Sequence, residues 1–227
     1  VTQIYQKHND GWWYANQRPP ISAVTTQLGY IGDSLTYQNG SGCLANGGSG
    51  QDVLNSLTSK TFATNTVVDG LIGRSIVDAG PTPLTQDVIN SWRSDGIDPQ
   101  SWVMALGSNN VGATDQQWTT YIGTALDAVA AGSKAAYTVY WIGITFSPTY
   151  NDDRSTRFTS VMESVAAARS DKITMVPIDY DSLIHNGRDE SDIWLASDTS
   201  GRHMTTDGYA LRNQIIADAI YEEASSG

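Results

Sequence analysis

Residues 30–40 read YIGDSLTYQNG: the end of a strand-like run, then Gly-Asp-Ser, then a glycine-rich stretch. Gly-Asp-Ser by itself is a turn, because glycine takes positive φ freely and Asp and Ser bond their own backbone. Directly after a buried strand, however, the triplet also sets a hydroxyl, that of Ser34, at the carboxyl edge of a sheet. In open α/β sheets that edge is where ligands bind. Deciding between turn and nucleophile requires a base, donors for a developing oxyanion and a fold that gathers them.

The chain around this stretch alternates strand-like and helix-like segments. AVTTQLGYIG (23–32), NTVVDGLIG (65–73), WVMALG (102–107), AYTVYWIGIT (136–145) and ITMVPID (173–179) read as strands. Three of them are continuous and β-branched enough to be covered on both faces. Segments 84–95, 115–132, 155–172 and 205–224 read as helices, with Trp118, Ile122, Leu126 and Val129, or Leu211, Ile215, Ile216 and Ile220, recurring at three and four. A further short helical piece falls near DVLNSL (52–57). The pattern predicts an α/β fold: a single-domain three-layer α/β/α sandwich around a central, mostly parallel five-stranded sheet. Residues 1–22, with Trp12, Trp13 and Pro19-Pro20, read as an N-terminal arm packed on a domain spanning 23–227.

Composition narrows the partners. At 227 residues and 40% hydrophobic, the chain suffices for one large core. No apolar run approaches the ~18–20 residues of a membrane span. A formal charge of −11 argues against nucleic acid and against an anionic membrane surface, both of which call for clustered Lys and Arg. Neutral substrates fit best, and a monomer is expected. The single cysteine, Cys43, allows neither an internal disulfide nor a Cys-based metal site. A start at Val1 reads as a processed or trimmed form, and the few charges with abundant Ser, Thr and Gly suggest a secreted or cell-envelope setting.

Three other strand or loop ends carry chemistry besides Ser34. GLIGRS (70–75) puts the N–H of Gly73 near the first crevice, LGSNN (106–110) aims Asn109 at the same point, and SGRHMTTDGY (200–209) sets His203 in the loop before the last helix. Together these are a nucleophile, a base and oxyanion donors, the parts of an acyl-transfer site. The four blocks, in this order over residues 30–210, resemble those of the SGNH (GDSL-type) hydrolase superfamily. That resemblance implies a flavodoxin-like fold, Ser34 as nucleophile, His203 as base, and Gly73, Asn109 and the Ser34 N–H as the oxyanion hole. It implies no metal and no organic cofactor.

Two positions depart from the family pattern. The Asp three residues before the histidine is Ser200 here, and Asn110 stands where Asp is usual after Asn109. His203 is then oriented by Asp198, by a backbone carbonyl or the Ser200 hydroxyl, or else the loop has another register and the site is crippled. Arg74, next to Gly73, is a candidate contact for an acyl or sugar oxygen. Trp194 is a candidate wall for an acyl or sugar ring, or packing beneath the loop. Asp33 reads as a structural residue of the turn. His8 and His185 lack a matching context, the 185–192 loop reads as solvated, and GSGCLA (40–45) opens no helix suited to a dinucleotide site. The expected activity is serine-dependent hydrolysis of short-chain acyl esters, with O-acyl groups on a glycan or glycolipid as substrates. The alternatives are O-acyl transfer to a sugar hydroxyl and non-catalytic glycan binding.

Overall fold

The computed structural model describes residues 4–8, 11–14, 27–37, 48–59, 65–77, 83–150, 153–187 and 189–226. Seven strands form one sheet: β1 (Ile4–His8), β2 (Gly11–Tyr14), β3 (Gln27–Gly32), β4 (Asn65–Gly70), β5 (Ser101–Ala105), β6 (Tyr137–Ile142) and β7 (Ile173–Ile178). Their spatial order is β2-β1-β4-β3-β5-β6-β7. All pairings are parallel except β1 with β2. The five strands predicted from sequence are the parallel centre, β4-β3-β5-β6-β7.

Two features differ from the sequence reading. The stretch taken as an arm supplies β1 and β2, which extend the sheet to seven strands, with Ile4 opposite Thr66 and Tyr5 opposite both Val67 and Tyr14. Runs of five and four residues are too short for their periodicity to register. Pro19, Pro20 and Cys43 lie outside the described residues. Second, β4 stops at Gly70, so Gly73 belongs to the turn beyond the strand rather than to its end.

The helices are α1 (Ser34–Tyr37), α2 (Gly48–Ser59), α3 (Thr85–Ser94), α4 (Asp115–Ala130), α5 (Arg154–Ala168), α6 (Tyr180–Ile184) and α7 (Thr206–Ser226). They cover the sheet from both sides, because alternate strand residues face opposite ways. Trp102 and Met104 of β5 join a core with Trp92 of α3, Trp118, Ile122 and Leu126 of α4, and Phe158 and Met162 of α5. Val103 and Ala105 join the other, with Val53, Leu54 and Leu57 of α2 and Ile216 and Ile220 of α7. The predicted stripe on α4 is thus its buried face. That helix begins where Thr114 accepts from the Gln117 N–H at 3.2 Å and the Gln117 side chain accepts from the Thr114 N–H at 2.8 Å, a reciprocal cap. No helix among the described residues is long and apolar enough to cross a membrane.

The chain passes from β3 to β4 on one side, then returns to lay β5 on the other side of β3. The winding therefore reverses between β3 and β5, and such a reversal opens a crevice at the carboxyl ends of the strands. Gly32, the last residue of β3, admits the first turn of α1 close behind it: a Cβ there would lie 1.8 Å from Thr36 Oγ1 and 2.6 Å from Thr36 Cβ. Gly32→Ala is therefore expected to lower stability by about 1–3 kcal/mol, the usual cost of overpacking, read as a lower urea midpoint. An unchanged midpoint would show that the turn gives way freely.

Candidate active site

Ser34 opens α1 at this crevice. The Thr36 and Tyr37 N–H groups both donate to the Asp33 carbonyl at 3.1 Å, and the Leu35 N–H donates to Asp33 Oδ1 at 3.0 Å. Asp33 is buried, and its other oxygen accepts the hydroxyl of Ser108 from the loop after β5. Burial pushes the Asp33 carboxyl upward, against the opposing pull of Ser108, the Leu35 N–H, Arg212 and Arg202. Asp33 thus ties the Ser34 turn to the end of the neighbouring strand.

Ser34 Oγ stands 3.1 Å from His203 Nε2 across 169 residues of sequence. On the far side of the ring, His203 Nδ1 lies 3.1 Å from Asp198 Oδ2. With the ring neutral and its proton on Nδ1, facing the carboxylate, Nε2 is left to accept from the serine. The three groups form a hydroxyl–imidazole–carboxylate relay. Asp198 reaches the ring because the loop folds around its carboxylate, which accepts the N–H groups of Ser200 at 3.0 Å, Arg202 at 2.8 Å and His203 at 2.7 Å. The Ser200 hydroxyl, 2.7 and 2.8 Å from the two oxygens, completes the cradle. Burial works to raise the Asp198 pKa, but the donors of His203, Ser200 and Arg202 together hold it well below the usual carboxylate range.

The loop is fastened at several points. Leu195 N–H donates to the His203 carbonyl at 3.0 Å and Thr205 N–H to the Ile193 carbonyl at 2.9 Å, around an antiparallel bridge of Trp194 with Met204. Ser147 N–H donates to the Gly201 carbonyl at 2.7 Å, and the Arg202 guanidinium donates to the Ser108 carbonyl.

In the turn after β4, Gly73 has φ +77°. Asn109 Nδ2 donates to the Arg74 carbonyl at 3.0 Å, which sets its amide at the end of β5 beside that turn. Asn110 Oδ1 accepts from the Ile76 N–H at 2.9 Å, so consecutive asparagines hold one segment of backbone. The side chain of Arg74 requires a correction to the sequence reading. It is fully buried, and its guanidinium donates to Gly32 O, Asp69 O, Asp69 Oδ1 and Pro83 O. Such an arginine holds the crevice together from beneath and is turned away from any substrate.

No family model and no curated protein matches the sequence. Solved structures do match the fold. A lipase/acylhydrolase from Enterococcus faecalis is 15% identical, with a TM-score of 0.61 over 88% of this chain and 97% of that one. A carbohydrate esterase family 2 enzyme with a carbohydrate-binding domain, from Corynascus thermopiles (Myceliophthora fergusii), is 18% identical, with a TM-score of 0.60 over 95% of this chain and 70% of that one. The C-terminal catalytic domain of the peptidoglycan O-acetyltransferase OatA of Streptococcus pneumoniae is 11% identical, with a TM-score of 0.55 over 90% and 95%. The chain has the SGNH-hydrolase fold.

Within this SGNH fold, Ser34, His203 and Asp198 come together, with Gly73 and Asn109 on the flanking loops. Trp194 is half-buried behind the loop: its Nε1 donates to Glu190 Oε2 at 2.7 Å, and its ring stacks on His185 with centroids 6.0 Å apart. The sequence reading passed over His185, yet its Nδ1 lies 2.7 Å from Glu190 Oε1, while its Nε2 lies 3.2 Å from Thr145 Oγ1 and 3.5 Å from Asp181 Oδ1. Thr145 is buried and donates to Asp181, so the hydroxyl of this second hydroxyl–histidine pair is already bound, and the half-buried His185 links Thr145 to Glu190. Neither Arg202 nor the His185 cluster stood out in sequence, though a basic residue beside the base and a His–Glu spacing of five were available signals.

The Asp198 cradle has a pH signature. Its carboxylate is held below the ordinary value of 3.8, so its contribution to stability is present above that pH and is lost as pH falls through the folded-state value. Asp198→Asn is expected to unfold at lower urea than the parent at pH 7, with the gap narrowing below pH 3.8. A gap independent of pH would remove the carboxylate charge from the account.

Proposed function

We propose that this protein is a serine-dependent ester hydrolase acting on short-chain acyl esters, with O-acyl groups on a neutral glycan or glycolipid as the substrate class. The reading is carried by the unbroken line Ser34 Oγ–His203 Nε2, His203 Nδ1–Asp198 Oδ2 at the point where the sheet winding reverses. Ser34 attacks the ester carbonyl as its proton passes to His203 Nε2, and Asp198 stabilises the resulting imidazolium. The carbonyl oxygen becomes an alkoxide facing the Ser34 N–H, Gly73 and Asn109; losing one such donor typically costs ~2.7–4 kcal/mol in the transition state. The intermediate collapses as His203 returns the proton to the departing alcohol oxygen. A water molecule then repeats the sequence and frees the acid and Ser34.

The likeness to esterases and an acylhydrolase supports ester chemistry, and the net charge of −11 favours uncharged substrates over anionic ones. A second reading keeps the same acyl-serine but hands it to a sugar hydroxyl. It is supported by the likeness to the OatA catalytic domain over nearly the whole of both chains. The grounds for non-catalytic glycan binding are Ser200 in place of the family carboxylate and the tryptophan content; Asp198 against the histidine ring favours the catalytic reading over it. A secreted or envelope location accords with the composition and with an extracytoplasmic glycan as substrate.

Incubation with 4-nitrophenyl acetate should give nitrophenol release that is abolished in Ser34→Ala, and an acetyl group on Ser34 in rapidly quenched samples. Asp198→Ala should lower kcat by ~10³–10⁴, on the scale seen when a triad carboxylate is lost. Ser200→Ala, which touches the ring only through Asp198, should cost less than about tenfold. Equal small losses in both would leave a dyad without a carboxylate, and undiminished activity in Ser34→Ala would end the proposal.

A further inference from the structure

Four large apolar side chains among the described residues stand well out into solvent: Ile72, Tyr150, Leu183 and Tyr221. Two of these flank the relay. Ile72 precedes Gly73 on the oxyanion side. Tyr150 lies on the other side, at the end of the short 3₁₀ turn Pro148–Tyr150 that follows β6. Its ring is packed against the loop that carries the base, since a Cβ on Gly201 would come within 2.9 Å of Tyr150 Cδ2. Gly201 has φ +65°, and its carbonyl accepts the Ser147 N–H, so the loop and the aromatic turn are held together by backbone as well.

Tyr150 is also fixed in orientation. Phe146 stacks on it with ring centroids 5.4 Å apart and planes 10° from parallel. The Arg154 guanidinium lies 5.1 Å from the Phe146 centroid and 5.9 Å from that of Tyr150. The Tyr150 N–H donates to the Ser147 carbonyl at 2.9 Å. Phe146 is buried, yet 39% of Tyr150 is exposed. Held by Phe146 and packed against the Gly201 loop, Tyr150 is a rigid platform whose exposed surface is ordered before anything binds. Platforms of that kind bind with little loss of conformational freedom.

The chemistry of the relay says which half of an ester meets this platform. His203 must protonate the departing oxygen, so the alcohol leaves on the side of the His203 loop, and the acyl carbonyl points towards Gly73 and Asn109. Tyr150, in contact with Gly201 on that loop, therefore faces the alcohol half. A saccharide ring suits it: one face of the sugar offers C–H groups to the aromatic ring, while the hydroxyl rim stays in water or bonds polar neighbours.

We propose that Tyr150, held by Phe146 and Arg154, is the alcohol subsite of the enzyme and stacks the sugar ring that bears the acyl group. The proposal builds on the esterase reading by giving that site its leaving-group specificity, and two measurements separate the fates of the two. The first is calorimetric binding of an acetylated cello-oligosaccharide to Ser34→Ala, with and without Tyr150→Leu. The second is the ratio of kcat/KM for that saccharide acetate to kcat/KM for butyl acetate. Tyr150→Leu should weaken binding and lower the ratio by about tenfold, roughly one aromatic contact's worth. Tyr150→Phe, which keeps the stack, should preserve both. Equal loss on the two esters, unchanged binding, or a preference for butyl acetate would overturn the subsite and leave the esterase reading standing. Tyr150-dependent saccharide binding by a protein that hydrolyses no ester would retain the subsite and overturn the esterase reading.

Discussion

Arg74 lies wholly buried beneath the crevice, and its guanidinium gathers the carbonyls of Gly32, Asp69 and Pro83 with the Asp69 carboxylate at 2.6 Å. Gly32 ends β3 and leads into Ser34, and Asp69 sits one residue from the end of β4. One side chain therefore joins the two strands whose ends make half the crevice. Its own carbonyl receives the Asn109 amide, which brings in β5. Buried ion pairs add little net stability, but removing one partner strands the other charge at a typical cost of ~3–5 kcal/mol. The position of Ser34 relative to its flanking loops is thus fixed by charge and backbone in a place water does not reach.

Opposite this fixed half stands a loop of a different character. The segment from Ile193 to Thr205 holds His203 and Asp198 with little regular structure, relying on one bridge, a handful of backbone bonds and the carboxylate cradle. Moving the carboxylate from position 200 to 198 changes how it acts. A residue two places further upstream lets the chain wrap its own N–H groups around the charge, so Asp198 organises the loop and orients the histidine at once. Ser200, in the vacated place, becomes a donor to that same carboxylate.

Much of the fold was legible because periodicity and burial act locally. The run from Gln27 to Gly32 and the stripe Trp118–Ile122–Leu126–Val129 announce their element and its buried face within a few residues. The Ser34, Asn109 and His203 positions were legible for a topological reason: strand ends converge whatever the sequence between them. What stayed hidden depended on the third dimension. A linear reading leaves both Asp198 and Ser200 within five residues of His203, and only the turn decides which faces the ring. Arg74 beside Gly73 looks like a ligand until its buried direction is known. His185 gains meaning only when Thr145 arrives from forty residues away to meet it beside Asp181 and Glu190, and the short strands Ile4–His8 and Gly11–Tyr14 are too brief to declare themselves.

The contact between Ser34 and His203 spans 169 residues, nearly three-quarters of the chain of 227. Closing so long a separation carries a loop entropy that local helices and neighbouring strands do not bear. In a refolding chain the parallel centre and its helices can assemble while the 193–205 loop is still undocked. Docking of that loop is therefore separable from the appearance of secondary structure: far-ultraviolet ellipticity reports the sheet and helices, and the Ser34–His203 contact forms only when the loop docks. Warming that loosened the 193–205 loop alone would leave the sheet and helices in place while separating His203 from Ser34.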